Sequence, residues 1–308
     1  MRICSLLPSG TEILYTLELE DQIVGVTHEC DYPPEAASKP QVTENLIDSE
    51  RLNSLEIDHH VSSNVGRHGS IYRLKEDLLE SLKPDLIVTQ ELCEVCAVSY
   101  SDVQRAARVL DAETRIVSLE PNTLEEMFQT IILVGEMTGR HALAEARVTA
   151  LRARLDAVRE LVRGTSRPKV YAMEWLDPAY SGGHWVPEMV EIAGGVEVLG
   201  KHAQKSARIT PDQVIAQQPE VIILMPCGFS LERTIEEYRR TPMFAGWNDL
   251  PAVRNGELYA VNGSAYFNRS GPRLVDGVEI LASIFHPDRI HYPDGYERIK
   301  LNGSHRTA

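Results

Sequence analysis

The chain has 308 residues, 43 per cent apolar and 25 per cent charged, with a formal net charge of −14. That length suits two cores better than one, and the composition is that of an ordinary globular protein. The acidic balance argues against a grip on nucleic acid or on an anionic membrane surface, and no apolar run approaches the ~20 residues of a membrane span.

Met1-Arg2 leads straight into the apolar run Ile3 to Leu7. Neither the long apolar core nor the cleavage site of a secretory signal is visible, and no lipid-anchor cysteine precedes the run. Read as it stands, the chain is expected in the cytoplasm. Five cysteines without disulfide-scaffold spacing read as free thiols or thiolate ligands.

RICSLLP reads as a first strand, followed by a helix from Ser9 to Leu17 and a β-branched strand from Gln22 to Thr27. His28-Glu29-Cys30-Asp31-Tyr32-Pro33-Pro34 then forms a loop, because two successive prolines forbid regular structure. The stretch from Ala36 to Arg73 is polar and turn-rich and yields no assignment; His59, His60 and His68 within it read as solvated. A helix over Leu74 to Leu82 breaks at Lys83-Pro84 before the strand Asp85 to Gln90. Val98 to Leu110 reads as a helix and Thr114 to Leu119 as a strand. Thr123-Leu124-Glu125-Glu126 is a capping-box pattern opening a helix to Met137.

His141 to Arg163 contains no Gly or Pro and is rich in the best helix formers. Val148, Leu151, Leu155, Val158 and Val162 draw one apolar stripe along a helix about 33 Å long. Arg152, Arg154 and Glu160 read as its solvated face. Gly139 and Gly164 punctuate its ends.

Beyond this helix the pattern returns. Lys169 to Trp175 is a strand, Val186 to Ala193 and Pro211 to Gln217 are helices, and Glu220 to Met225 is a strand. Glu232 to Arg239 is a helix, Glu257 to Val261 a strand, and Arg273 to Phe285 a closing helix. LLESLKPDLIVTQ and QVIAQQPEVIILMP repeat one phrase: helix, proline and acid, then β-branched strand. The expected fold class is therefore α/β, two lobes with parallel-type sheets joined by a single long helix, with a ligand cleft between the lobes. The lobes are expected at residues 1–139 and 165–295, with a bridging helix at 140–164 and a flexible tail at 296–308. Ligands in such sheets bind outside the carboxyl ends of the strands. Those ends carry Pro8-Ser9, His28 to Tyr32, Gln90 to Cys96, Glu120, Glu174-Trp175, Pro226-Cys227-Gly228 and Asn262 to Arg269.

His28-x-Cys30 and Cys93-x-x-Cys96 follow two strands that could be neighbours and offer three sulfurs and an imidazole. That is a tetrahedral donor set for zinc, or for iron; the plainer reading is a pair of buried thiol positions. Asp31 and Glu174 could act as an acid/base pair, but no nucleophile elbow and no phosphate loop accompanies them.

PSGTEILYTLELEDQIVGVTHECDYPPEA resembles the opening of the vitamin B12/iron-complex solute-binding proteins of ABC importers. Lys83-Pro84-Asp85-Leu86-Ile87-Val88, Ser181-Gly182-Gly183 leading to Gly194-Gly195, and Arg269-Ser270-Gly271-Pro272-Arg273 resemble the cobalamin-binding members. The resemblance runs over roughly residues 2 to 285. It implies two lobes on one long helix and non-catalytic binding of a cobalamin-like corrinoid or related metal complex. By position His28, Asp31, Tyr32, Gln90, Glu174, Trp175, His184 and Trp185 would contact the ligand. It further implies docking to an ABC permease through an acidic residue on each lobe, Glu76 matching the first and Glu232 or Glu236 the second. In a corrinoid, His28 or His184 could take an axial position on cobalt. Trp175, Trp185 and Tyr32 would give flat walls, unless Trp185 is core beside Val186 and Pro187. The rival reading on the same scaffold is a cytosolic metal-site protein or metal-dependent enzyme using His28, Cys30, Cys93 and Cys96.

Overall fold

A computed structural model describes residues 1–46, 51–68, 72–90, 114–291 and 298–301. The chain divides into two compact units. Unit 1 comprises Met1–Leu52, Glu56–Pro121 and Glu126–Val148; unit 2 comprises Asn53–Leu55, Asn122–Glu125 and Thr149–Ala308.

The elements of the first part are β1 (Ile3–Ser5), α1 (Pro8–Thr16), β2 (Ile23–Val26), β3 (Thr43–Asn45), α2 (Ser54–His68), β4 (Tyr72–Leu74), α3 (Glu76–Leu82), β5 (Leu86–Thr89), β6 (Arg115–Ser118) and α4 (Leu124–Thr138). In unit 1, β1, β2, β5 and β6 form one sheet in the order β2-β1-β5-β6, with every pairing parallel. The chain leaves β1 to one side for β2 and later returns to its other side at β5. That reversal is the switch point where open α/β sheets bind ligands. Cys4, Leu6, Val42, Leu74, Leu79 and Ile87 make a core cluster under this sheet. Each fully buried aliphatic side chain there contributes about 1.5–3 kcal/mol.

α5 (His141–Leu161) realises the expected long helix. Val148, Leu155 and Val158 on its stripe are buried, as is Ala144. Gly139 and Gly164 flank it in the left-handed region, at φ +72° and +73°. Residues up to Val148 belong to unit 1 and those from Thr149 to unit 2. Its charged face is less idle than expected: the Arg154 guanidinium forks onto Asp276 at 2.5 Å and Glu279 at 2.7 Å.

The remaining elements are β7 (Lys169–Trp175), β8 (Tyr180–Ser181), α6 (Val186–Ile192), β9 (Val196–Glu197), α7 (Pro211–Gln217), β10 (Val221–Leu224), α8 (Leu231–Arg240), α9 (Pro251–Arg254), β11 (Leu258–Val261), α10 (Gly263–Tyr266), α11 (Leu274–Phe285) and β12 (Arg298–Leu301). The sheet of unit 2 runs β12-β11-β10-β7-β8, with β9 also paired to β7. It is mixed: β7, β9, β10 and β11 are parallel, while β8 and β12 are antiparallel. β12 occupies a position expected to be tail. It pairs with β11 and brings Lys300 to Glu257 at 2.7 Å. β7 has β9 on one side and β10 on the other, so the switch point of unit 2 lies at the carboxyl ends of β7 and β10.

The repeated phrase is real in the backbone. α3 ends at Lys83 and α7 at Gln218, both left-handed, at φ 44° and 49°. A proline then prevents each helix from continuing, and a fully buried strand follows.

α2 escaped the sequence reading. Among its residues 54–63 only Ser54 and Ile57 are buried, so no apolar stripe announces a helix. Its first amide is held instead by tertiary structure: Ser54 N donates to Glu237 Oε1 at 2.7 Å. His59 and His60 are exposed on it, as expected. The expected helix over Val98 to Leu110 lies outside the described residues.

α7 opens on a capping box, with Gln213 N donating to the Thr210 hydroxyl and Thr210 N to the Gln213 side chain. Thr210→Ala removes the acceptor for one orphan amide. Denaturant unfolding is expected to show a loss of about 1 kcal/mol with an unchanged slope.

Candidate functional site

The carboxyl end of β7 delivers Glu174 and Trp175. Glu174 Oε2 accepts from the Ser206 hydroxyl at 2.7 Å and from Gly183 N at 3.1 Å. Burial pushes this carboxyl above the ordinary range, against the opposing pull of those two bonds. The Trp175 indole donates to Ser54 O at 3.1 Å, and its ring meets Phe229 edge-on at 5.2 Å. Arg233 lies over the other ring of that pair, 4.1 Å from the Phe229 centroid. Cys227, after β10, donates its amide to Glu174 O at 3.1 Å. An aromatic platform with a carboxylate beside it therefore stands at the switch point of unit 2.

The loop Gly182 to Trp185 sits beside this platform. Gly183 admits no side chain, because an added Cβ would stand 2.3 Å from Ser206 N. His184 adopts φ +51°, a left-handed backbone rare for histidine. It is pinned there by His184 N donating to Gln204 O at 2.6 Å and Ala203 N donating to His184 O at 2.9 Å. Its Nδ1 lies 3.1 Å from the Asn122 side-chain oxygen. Burial, and then the Lys205 charge, hold the imidazole below its ordinary range. Trp185 takes the core alternative: it is buried, and its indole donates to Phe267 O at 2.7 Å.

In unit 1 the loop after β2 carries His28, Cys30, Asp31 and Tyr32. The Thr43 hydroxyl accepts from His28 N at 3.1 Å and lies 2.7 Å from His28 Nδ1. Nε2 is buried, 3.3 Å from Glu29 Oε1. The ring packs edge-on against Tyr72, at 5.1 Å. Both nitrogens are thereby enclosed, and these contacts fix the loop. The Cys30 thiol is buried and sits 3.0 Å from the Thr11 hydroxyl, turned into the core with Cys4. Burial, then the neighbouring Cys30, push the Cys4 thiol far above its ordinary value. Cys93 and Cys96 lie outside the described residues, and among the described residues no three His, Cys, Asp or Glu side chains gather as a metal site. Asp31 and Tyr32 are exposed at the end of β2, and Gln90 is half-buried just after β5. Glu76 and Glu232 are exposed, each in the first turn of its helix.

Sequence reasoning missed Asn122, Ser206 and Phe229. None belongs to a motif; only the fold brings them to Glu174, Trp175 and His184.

Each unit carries a sheet with a topological switch point, and in unit 2 a polar-aromatic cluster stands there. The chain belongs to the periplasmic binding protein family, whose sequence pattern matches residues 3–265. That family comprises the substrate-binding proteins of ABC transporters, which bind without catalysis. The vitamin B12-binding protein of Vibrio cholerae is 26% identical over 289 residues, 90% of this chain and 86% of that one. Among solved structures, the periplasmic haem-binding protein RhuT from Roseiflexus matches with TM-score 0.69 and 22% identity, over 93% of this chain and 98% of that one. The periplasmic vitamin B12-binding protein BtuF of Vibrio cholerae matches with TM-score 0.66 and 23% identity, over 93% and 96%. The metal-enzyme rival finds no support in these likenesses, nor does the cytoplasmic expectation. No helix among the described residues is long and apolar enough to cross a membrane.

Close by, Glu197 accepts from Ala172 N at 3.0 Å, Leu199 N at 3.0 Å and Gly200 N at 2.9 Å. Burial outweighs these bonds and pushes its carboxyl from 4.5 up to about 7. Since the folded value exceeds the unfolded one, folding takes up a proton between them. The stability this group contributes is complete below pH 4.5 and is lost as pH rises to about 7. Carboxyl ¹³C NMR is expected to show Glu197 titrating above every exposed glutamate. The pH slope of unfolding between pH 5 and 7 should flatten in Glu197→Gln.

Proposed function

We propose that this protein binds a cobalamin-like corrinoid reversibly and presents it to an ABC permease. The observation that carries the reading is the likeness to the Vibrio cholerae vitamin B12-binding protein, which runs over 90% of the chain rather than over one motif. The half-buried Trp175, backed edge-on by the buried Phe229, supports it, since a flat macrocycle takes aromatic walls, and so does the exposed Tyr32 ring of unit 1. Glu174 and His184 in unit 2, with Asp31 and Gln90 in unit 1, are the polar contacts in this reading. Glu76 and Glu232 are the acidic residues offered to arginines of a permease. Such a role places the protein outside the cytoplasmic membrane, in the periplasm or at the cell surface, where the family works.

A visible-spectrum titration of the purified protein with hydroxocobalamin tests the ligand. A saturable change at micromolar concentration or below is expected, weakened about tenfold in Trp175→Ala through loss of one aromatic wall. A flat titration with cobalamin beside a saturable one with haem would overturn the corrinoid reading in favour of a haem binder.

A further inference from the structure

His28 and His184 both follow sheet strands, but their surroundings differ. Around His28 the Thr43 hydroxyl accepts from the backbone amide and lies 2.7 Å from Nδ1, while Nε2 is buried 3.3 Å from Glu29. Both ring nitrogens are enclosed by the protein.

At His184 the Asn122 oxygen can only accept, so Nδ1 carries the hydrogen and donates it across 3.1 Å. The Nε2 lone pair is left for another partner. The pairing is the one metal-binding histidines use, one ring N–H spent on a neighbouring oxygen while the other nitrogen meets the metal.

The ring is also held in place. Its backbone is fixed in the left-handed region by bonds to Gln204 and from Ala203, a strained conformation that persists only where surroundings impose it. Trp185 lies 5.5 Å away, nearly parallel at 31°, and is itself locked to Phe267 O. Asn122 is equally anchored. Two residues on, Leu124 N donates to Glu188 Oε2 at 3.0 Å, and Glu188 belongs to α6, the helix that begins directly after Trp185. One short helix thus holds both members of the pair.

We propose that His184 is the axial nitrogen ligand to the metal of the bound corrinoid, and that Asn122 is the positioning residue that fixes its tautomer. The assignment rests on the corrinoid reading above. Binding is then a ligand exchange: the Nε2–cobalt bond forms, the cobalt–water bond breaks, and the water leaves. No electron is transferred, and Nδ1 keeps its hydrogen on Asn122 throughout.

Cobinamide, a corrinoid without its own nucleotide base, separates the possibilities. Equilibrium dialysis measures binding, and electron paramagnetic resonance of the cobalt(II) form reads the axial atom. Unlabelled protein is expected to split the cobalt lines into triplets, and uniformly ¹⁵N-labelled protein into doublets. Both patterns should vanish in His184→Ala, and free unlabelled imidazole should restore triplets in the labelled and the unlabelled variant alike. Asn122→Leu should weaken cobinamide binding about tenfold, while Asn122→Asp, which keeps an acceptor on Nδ1, should preserve the splitting. Cobinamide retained without nitrogen splitting, or splitting that survives His184→Ala, would overturn the axial assignment and leave the corrinoid reading standing. Absence of any retention would overturn both.

Discussion

Two carboxyl groups on and beside β7, Glu174 and Glu197, organise the site-bearing end of unit 2. Glu197 gathers the amides of Ala172, Leu199 and Gly200, tying the segment after β9 to the strand itself. Glu174 gathers Gly183 and Ser206, tying the loop after β8 to the far end of that same segment. Between these two clamps residues 200–206 press against residues 182–184 so closely that glycine is required at 183. Burying a carboxyl costs several kcal/mol unless its oxygens are satisfied, and here backbone amides satisfy them. The left-handed His184 and the position of its ring follow from that clamp.

The same device recurs at α8. Glu237 is fully buried yet accepts from Ser54 N and Thr241 Oγ1 while pairing with Arg240 at 2.5 Å. Burial alone would raise its pKa, but the hydrogen bonds from Ser54 and the Arg240 pairing prevail and hold it below the ordinary range. Glu237 is thereby ionised at neutral pH, whereas at Glu197 burial outweighs the amide bonds. A binding protein needs its loops preorganised, since ordering them on ligand capture would subtract from affinity. Buried acids bonded to backbone provide that order without filling the ligand's space.

The two histidines show how little residue type says about role. Both stand in polar loops after sheet strands, and both were candidates for an axial position on a corrinoid metal. One ring is enclosed against Thr43 and Glu29, while the other meets an amide oxygen at Nδ1. Cys30 gives the same lesson in the negative, since its thiol is spent on Thr11 in the core.

The sequence alone determined the backbone plan. Alternating apolar strands, the Lys83-Pro84 and Gln218-Pro219 stops and the uninterrupted run from His141 specify α/β units on a long helix, because local propensity and periodicity act within a few residues. Glu174 and Trp175 were legible as strand-end candidates from the same plan, since parallel sheets present their carboxyl ends to ligands, whereas His184 entered only through the family resemblance. Tertiary structure decided what periodicity cannot encode. It made a helix of Ser54–His68 through a capping carboxylate 183 residues away and added the antiparallel β12 at a sheet edge. It placed Trp185 in the core and brought Asn122 to His184 across 62 residues of chain. Each of these depends on a partner distant in sequence, and a hydrogen bond between distant residues leaves no pattern along the chain.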